Sequence, residues 1–212
     1  MKYLDIDQWN RKKHFHNFLH YTQPFFNITA NVEVTEVKAL SAEKQYSFFL
    51  SYYFIGLQII NEIEALRYRI REEQVIVHDV IHGSCAILNA DNTFSYAYFD
   101  YDPSFNSWHK KTKDILNNLR ENPSLDPQFH RDDLIHATVI PWISFTNFEH
   151  AKRLEQGDST PKLVFGKSFT AGNRLMIPIS LAVHHALADG FHVGQFFEKY
   201  EWYANNPSEL LR

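Results

Sequence analysis

The sequence predicts an α/β fold in which a mixed β-sheet is flanked by helices, within one domain spanning residues 1–212. Segments with the two-residue alternation of strands are interspersed with segments of helical period, without a strict strand–helix–strand repeat. The chain contains no internal repeat, low-complexity tract or linker that would separate two domains. With 212 residues, 44% of them hydrophobic, it is long enough to bury a substantial core.

The N-terminal half shows helical and strand patterns in turn. Residues 7–20 predict a start segment followed by a helix, because three apolar side chains recur at helical spacing. Residues 28–34 alternate and predict a strand. A strong helix is predicted from an N-cap at Ser41 to residue 63. Short strands are then predicted over residues 68–70, 74–78, 84–88 and 94–101, with a turn at 89–92.

The C-terminal half adds helices, strands and polar connections. Residues 149–160 are polar and predict a segment on the surface. The other predictions rest on periodicity and turn residues. They are a helix over about residues 104–120, a polar connector at 122–133, a strand at 135–139, a hairpin from 163–170 and 175–184 around a turn at 171–173, and a helix at 191–203.

The most informative stretch is an apolar strand that ends in two histidines. Residues 177–183 are too uniformly apolar for a strand with one solvated face, so both faces are expected to be covered. Because side chains alternate across a strand, His184 and His185 should point to opposite sides, one for chemistry and one for structure. An imidazole of ordinary pKa, near 6.5, is mostly neutral at cytosolic pH and can accept a proton. Asp189 and Gly190 follow in a short turn, where glycine permits a positive φ.

Other interpretations of these residues remain open from the residues alone. His184 and His185 are compatible with a hydrogen-bonded pair in the core, which the dipeptide by itself favours. A metal site that adds Asp189 and His192 is disfavoured, because adjacent histidines on opposite strand faces fit one ion poorly. Cys85 lies in an apolar context and is predicted to be a buried small hydrophobe. The chain has no Gly-x-Ser-x-Gly elbow and no glycine-rich phosphate loop.

Composition excludes several classes of function. The formal charge is −4, from 21 basic and 25 acidic residues without a basic block, which argues against nucleic acid as a partner. A single cysteine excludes an internal disulfide framework and is compatible with a reducing compartment. The first residues lack the apolar core of a signal peptide, and the run at 48–60 is too short and too rich in tyrosine to span a bilayer. We therefore expect a soluble, cytoplasmic protein with no membrane partner.

Three motifs together resemble one enzyme family. The run His184-His185-Ala-Leu-Ala-Asp189-Gly190-Phe-His-Val is similar to the His-His-x-x-x-Asp-Gly signature of the chloramphenicol acetyltransferases, including its Phe-His-Val tail. A shorter His-x-x-x-Asp-Gly form occurs in dihydrolipoyl acyltransferases and other CoA-dependent acyltransferases. Residues 9–15, Trp-Asn-Arg-Lys-Lys-His-Phe, resemble the family's Trp-x-Arg-x-x-His-Phe. Residues 138–145, Thr-Val-Ile-Pro-Trp-Ile-Ser-Phe, resemble its Ser-x-x-Pro-Trp-x-x-Phe, so the resemblance spans nearly the whole chain.

This resemblance implies a two-layer α/β sandwich of the CoA-dependent acyltransferase fold, assembled as a homotrimer with active sites at the subunit interfaces. It implies acetyl transfer from acetyl-CoA, as co-substrate, to a hydroxyl of a small acceptor, in a ternary complex without an acyl-enzyme. No metal is expected. By motif register, His185 would be the general base, and Thr138, where the family has serine, would donate to the oxyanion. Asp189 would form a buried bidentate ion pair with Arg11 and hold His185 in position.

Chloramphenicol is the leading acceptor that the resemblance implies, which would make the protein an antibiotic-resistance enzyme. Four phenylalanines are expected to line the acceptor pocket, with core packing as the alternative for the first three: Phe18, Phe26, Phe94 and Phe148. Departures from the family's largely apolar pocket are His150, Lys152, Lys162 and, in place of a threonine, Val164. Polar groups there would penalise an aromatic acceptor unless they find partners. The alternatives are an acyltransferase with another hydroxyl acceptor and a non-catalytic trimeric binding protein.

Overall fold

Helices and strands are interspersed along the chain, of which the computed structural model describes residues 1–128, 130–151 and 158–212. The described helices are α1 (Lys12–Phe18), α2 (Thr35–Glu43), α3 (Phe48–Glu62), α4 (Phe105–Glu121) and α5 (Gly190–Asn205). The described strands are β1 (Lys2–Tyr3), β2 (Phe25–Glu33), β3 (Tyr68–Arg71), β4 (Gln74–Val77), β5 (His82–Leu88), β6 (Phe94–Phe99), β7 (Leu134–Val139), β8 (Lys162–Phe165), β9 (Phe169–Ala171) and β10 (Arg174–His184).

The larger sheet has seven strands in the order β2-β10-β8-β7-β5-β6, with β9 paired to the start of β10. Strands β5, β7 and β8 run parallel to one another, whereas β2, β6 and β10 are antiparallel to their neighbours. The sheet is therefore mixed, as predicted. A smaller sheet has the order β1-β4-β3. It is joined to the larger one by the buried Arg69, which donates to the carbonyl oxygens of Asp132 and Leu134 (2.7 Å each) at the start of β7.

Strand β10 is the element that positions the rest of the larger sheet. On one side it pairs with β2 over nine residues, from Met176 opposite Glu33 to His184 opposite Phe25. On its other side it pairs with β8 and β9. Residues 177–184 are all buried. Both faces of this strand are covered, as its uniformly apolar sequence predicted.

The helices pack against one face of the larger sheet and form the second layer. Alternate residues of β10, from Ile177 to Val183, enter the apolar core with residues of α3 and α5. Gly56 permits close packing of α3 on the sheet, since a Cβ there would lie 2.9 Å from the side chain of Leu163. The predicted two-layer α/β sandwich is confirmed. No helix within the described residues is long and apolar enough to cross a membrane.

The prediction of one helix from Ser41 to residue 63 is wrong, because two helices occupy this region. Ser41 lies buried inside α2, where its hydroxyl donates to the carbonyl one turn earlier (2.7 Å). The chain leaves α2 through Gln45, whose φ is 56°. Helix α3 then begins after Ser47, whose Oγ accepts a hydrogen bond from the backbone N of Leu50 (3.4 Å). The break contains no glycine or proline, so the usual sequence signal for it is missing.

Two smaller predictions are also revised. Ser159 and Thr160, at the end of the polar segment expected on the surface, are buried, and Ser159 Oγ accepts from the backbone N of Ile70 (2.9 Å). Residues 152–157 of that segment lie outside the described residues. Gly190 does not adopt a positive φ but begins α5, whereas Gly172 in the β9–β10 turn has a φ of 65°. The predicted hairpin is found with its first strand divided between β8 and β9, and the other predicted elements have ends shifted by a few residues.

Candidate active site

The two histidines at the exit of β10 lie in different surroundings. His184 is buried on the sheet face away from the helices, where its ring packs edge-on against Phe25, with 5.4 Å between centroids. Its Nδ1 accepts a hydrogen bond from the backbone N of Ala186 (3.3 Å), which stabilises the turn after the strand. Burial lowers the pKa of His184 to about 4, because the charged imidazolium would lose its hydration. His184 is therefore a neutral, structural histidine.

His185 is half-buried, and its imidazole ring contacts two aromatic rings. Its ring stacks on Phe18, with centroids 3.9 Å apart and an interplanar angle of 7°, and its centroid is 4.7 Å from that of Phe26. The backbone N of His185 donates to the carbonyl of Pro24 (2.8 Å), so the main chain is fixed as well. Its Nδ1 is buried and has no hydrogen-bond partner among the described residues. Nε2 is the nitrogen that remains to meet a substrate.

An ion pair joins the segment before α1 to the turn after β10. Arg11 Nη1 contacts Asp189 Oδ2, which ties the helix that carries Phe18 to the exit of the strand. Asp189 is also the N-cap of α5, because its Oδ1 accepts from the backbone N of Phe191 (3.1 Å). Burial opposes ionisation of this carboxyl group, but the guanidinium of Arg11 lowers the pKa of Asp189 to about 2.

This ion pair differs in one respect from the bidentate geometry that was predicted. Arg11 Nε and Nη2 are buried and have no hydrogen-bond partner among the described residues. Asp189 Oδ1 is occupied by the helix cap and by His192 Nδ1 (2.9 Å), so one carboxylate oxygen is left for the guanidinium. The predicted pair forms with one contact instead of two.

Thr138 lies near the end of β7 and is half-buried. Its partner on β8 is Val164, which in turn pairs with Ser180 of β10. Directly paired residues of neighbouring strands share a face of the sheet. Thr138 therefore lies on the same face of the sheet as Ser180 and His184, which is the face away from the helices. His185, the next residue after His184, points to the helix side.

Thr138 and His185 of one chain are too far apart to act on one small substrate. His185 lies beyond Ser180 along β10 by roughly 16 Å, at the rise of about 3.3 Å per residue in a strand. Ser180 is separated from Thr138 by two strand spacings, about 10 Å. The two side chains also leave the sheet on opposite faces. A site that uses both must combine two chains.

The phenylalanines predicted to line a pocket divide between these two places. Two of them contact the His185 ring: Phe18 stacks on it, and Phe26 packs against it at a tilt of 49°. Phe94, 46% exposed, begins β6, and the register of β6 on β5 and of β5 on β7 places it on the same face of the sheet as Thr138, about 12 Å away. Phe148 lies in the loop after β7, and its carbonyl accepts from Asn27 Nδ2 (2.7 Å), which holds this loop against β2.

Polar residues that the sequence analysis missed surround the Thr138 face. His136 precedes Thr138 by two residues on β7, so strand alternation would have placed both on one face. It pairs with Lys162 of β8, which is 4% exposed. Lys162 is satisfied by Asp158 Oδ2 (2.5 Å) and a backbone carbonyl (3.1 Å), and it lies 4.6 Å from the centroid of the Phe25 ring. Lys162, which departs from the apolar pattern of the family's pocket, therefore has hydrogen-bonding partners.

The other departures from an apolar pocket have individual explanations. The ring of His150 packs edge-on against Phe148, with 4.9 Å between centroids. Val164 is 1% exposed and lies directly between Thr138 and Ser180 in the sheet register. Lys152 lies outside the described residues.

Cys85 is 1% exposed, and burial raises its pKa to about 12, so its thiol is not a nucleophile at neutral pH. This confirms the prediction that Cys85 packs as a small hydrophobe. Within the three described ranges, no group of three or more His, Cys, Asp or Glu side chains lies close enough together to hold a metal ion.

Comparisons with known proteins agree with one another. The sequence profile of a family described as chloramphenicol acetyltransferase matches residues 1–201. A chloramphenicol acetyltransferase of Escherichia coli is 26% identical over 204 residues, covering 95% of this chain and 93% of that protein. One of Clostridium perfringens is 26% identical over 211 residues, covering 98% and 96%. A solved chloramphenicol acetyltransferase structure matches with a TM-score of 0.86 at 27% identity, covering 96% of this chain and 99% of that one. The Azotobacter vinelandii dihydrolipoamide acetyltransferase shares the fold, with a TM-score of 0.71 at 12% identity over 94% of this chain and 88% of that one.

Proposed function

The chain belongs to the chloramphenicol acetyltransferase family, and we propose that it is an acetyl-CoA-dependent O-acetyltransferase that acetylates a hydroxyl of chloramphenicol. The observation that carries the proposal is the environment of His185. Two aromatic rings fix its imidazole at the exit of β10, Nδ1 is buried, and Nε2 is left for a substrate. A general base needs this combination of fixed geometry and one accessible nitrogen.

The proposed reaction proceeds in one ternary complex. His185 Nε2 removes the proton of the acceptor hydroxyl as its oxygen attacks the carbonyl carbon of the thioester. Negative charge develops on the carbonyl oxygen, and Thr138 Oγ1 donates a hydrogen bond to it. The C–S bond then breaks, and the imidazolium returns its proton to the departing thiolate. The products are the acetyl ester and free CoA.

The separation of Thr138 and His185 supports sites shared between chains, as in the homotrimer that the family resemblance implies. Apolar side chains exposed near Thr138 support a subunit contact there. Leu88 and Phe94, which pair across β5 and β6, are 51% and 46% exposed, and Ile143 in the loop after β7 is 60% exposed. Apolar groups clustered at one end of a sheet are typical of a surface that another protein covers.

Supporting residues hold the His185 half of the shared site. Asp189 and Arg11 fix the turn after β10, and Phe18 and Phe26 fix the imidazole. We propose these supporting roles for the four residues, together with a cytoplasmic location, with which the single cysteine is compatible.

Thiol release from acetyl-CoA tests the function directly. The wild type should release CoA with chloramphenicol, and His185→Ala should reduce turnover by about 10²- to 10⁴-fold, since that is the usual contribution of a general base. His184→Asn is the matched control, because it changes the adjacent structural imidazole. Bacteria that express the wild type should also tolerate more chloramphenicol than bacteria that express His185→Ala.

The other outcomes of this assay identify the alternatives. Release with another hydroxyl compound but not with chloramphenicol would indicate an acyltransferase with a different acceptor. Binding of acetyl-CoA and acceptor without His185-dependent release would indicate a binding protein and would contradict the proposal.

A further inference from the structure

The loop after β7 crosses the sheet face on which Thr138 lies. It spans residues 140–148, has no regular secondary structure and begins two residues after Thr138. Its first half is held near the end of β8, where the carbonyl of Ile143 accepts a hydrogen bond from the backbone N of Lys167 (2.9 Å). Its last residues reach β2 at the edge of the sheet, which is three strand spacings, or about 14 Å, from β7.

Asn27 of β2 holds this distant end of the loop through its side-chain amide. Its Nδ2 donates to the main-chain carbonyl of Phe148 (2.7 Å) and to Asn147 Oδ1 (3.0 Å), and it lies 3.2 Å from Ser180 Oγ on β10. Among the described residues, no other hydrogen bond reaches residues 145–148. Because a carbonyl oxygen can only accept, Asn27 must present its NH2 group here, which fixes the orientation of the amide.

The alternation of β2 separates this contact from the proposed general base. Phe26, which contacts His185, points to the helix side, whereas Asn27 points to the opposite face. The main chain of both residues is held by the pairing of β2 with β10, and Thr138 is held by the pairing of β7 with β5 and β8. Loss of the Asn27 side chain therefore acts on the loop and leaves the imidazole and the hydroxyl donor in place.

The loop carries Phe148, which the family resemblance assigns to the acceptor pocket. The ring of Phe148 is half-buried and packs against Phe145 and His150, with centroid distances of 5.7 and 4.9 Å. These ring contacts lie within one segment of the chain. The hydrogen bond from Asn27, in contrast, ties the main chain of Phe148 to the sheet.

We propose that Asn27 is a positioning residue of the acceptor site, which sets the place of Phe148 through the main-chain carbonyl of that residue. This role rests on the proposed acetyltransferase function and concerns the acceptor half of the same site. Without the amide, the end of the loop is free to leave the sheet, and binding of the acceptor has to order it again. The effect falls on acceptor binding and not on the chemical step, because neither His185 nor Thr138 moves.

Steady-state kinetics of thiol release test this role. Asn27→Ala should raise KM for chloramphenicol about tenfold, the effect of one good hydrogen bond, and leave kcat and KM for acetyl-CoA within about twofold of the wild type. Asn27→Asp keeps the size of the side chain but sets a carboxylate oxygen against the carbonyl of Phe148, so it should raise KM for chloramphenicol at least as much. Asn31→Ala, at an exposed position on the same strand and face, is the matched control and should keep the wild-type KM.

A double variant shows whether Asn27 acts through Phe148. Phe148→Ala should itself raise KM for chloramphenicol, and addition of Asn27→Ala should raise it no further, because the amide matters only through the ring that it positions. An unchanged KM in Asn27→Ala, an equal rise in KM for acetyl-CoA, or increases that multiply in the double variant would overturn the role of Asn27 while leaving the acetyltransferase proposal intact. Absence of thiol release by the wild type would instead refute the proposed function. Calorimetric titration with chloramphenicol then decides the role of Asn27, since equal affinity of Asn27→Ala and the wild type would overturn it.

Discussion

His184 and His185 show how one strand gives two identical side chains different environments. The first turns toward the sheet face that carries Lys162 and Asp158 and is buried there, whereas the second turns toward α1. Alternation predicted this division from the sequence. The two rings that hold His185 were named only through the family resemblance, and only as pocket residues. Their contact with the imidazole depends on how α1 and β2 pack against the strand exit, which no local pattern encodes.

The hydroxyl of Thr138 leads to a prediction at this scale. Thr138→Ala should lower kcat by about 100-fold or more, because loss of one oxyanion donor costs roughly 3 kcal/mol in the transition state. Thr138→Ser keeps the hydroxyl and should retain most of the activity. Both are measured by thiol release at saturating acetyl-CoA and acceptor. Equal turnover by the alanine variant and the wild type would remove Thr138 from the mechanism.

The ion pair of Asp189 leads to a prediction about pH. Its pKa in the folded protein, about 2, is below the ordinary value of 3.8, so this carboxylate stabilises the fold at pH values above about 4 and loses that contribution as the pH falls toward 2. Asp189→Asn should therefore unfold at lower urea concentration than wild type at pH 6, with a smaller difference at pH 3. It should also lower kcat/KM, because the turn that holds His185 loses its tie to Arg11.

Asp114→Asn, at an exposed position of α4, is the control for this experiment. It should unfold like the wild type at both pH values. If Asp189→Asn matched the wild type in both stability and kcat/KM, the supporting role of the ion pair would be wrong.

At the scale of elements, apolar pattern and turn chemistry predicted most of the fold. β10 was evident from its uniform apolar run, and the β9–β10 hairpin from the Ala-Gly-Asn turn in which Gly172 has a φ of 65°. Two features could not be predicted, because tertiary packing decides them. The break between α2 and α3 passes through Gln45 in a left-handed conformation that glycine usually takes. Ser159 is polar yet buried, because it accepts a hydrogen bond from β3.

The break between α2 and α3 gives a prediction about stability. Ser47→Ala should lower the free energy of unfolding by about 1 kcal/mol, because α3 loses the side-chain acceptor at its N-terminus. For a chain of this size that corresponds to a decrease in Tm of roughly 2–4 °C. Ser47→Asp keeps a capping oxygen and should recover most of the loss. An unchanged Tm in the alanine variant would show that this cap contributes nothing.

At the scale of the whole molecule, each chain contains two separated halves of the proposed site. His185 with its aromatic rings lies at the exit of β10 on the helix side, and Thr138 lies on the opposite face. The family resemblance supplied the general base, the hydroxyl donor and the supporting ion pair by motif position. It did not supply His136 or the pairing of Lys162, because these lie outside the motifs and are brought together by strand register.

A mixture of two inactive variants tests the shared site most directly. His185→Ala and Thr138→Ala chains are unfolded together in equal amounts, refolded and assayed for thiol release, with each variant refolded alone as the control. In a cyclic assembly with sites between chains, random mixing leaves about a quarter of the sites with an intact His185 from one chain and an intact Thr138 from its neighbour. The mixture should therefore recover about a quarter of wild-type activity. Activity no higher than that of the two variants refolded alone would contradict a site shared between chains.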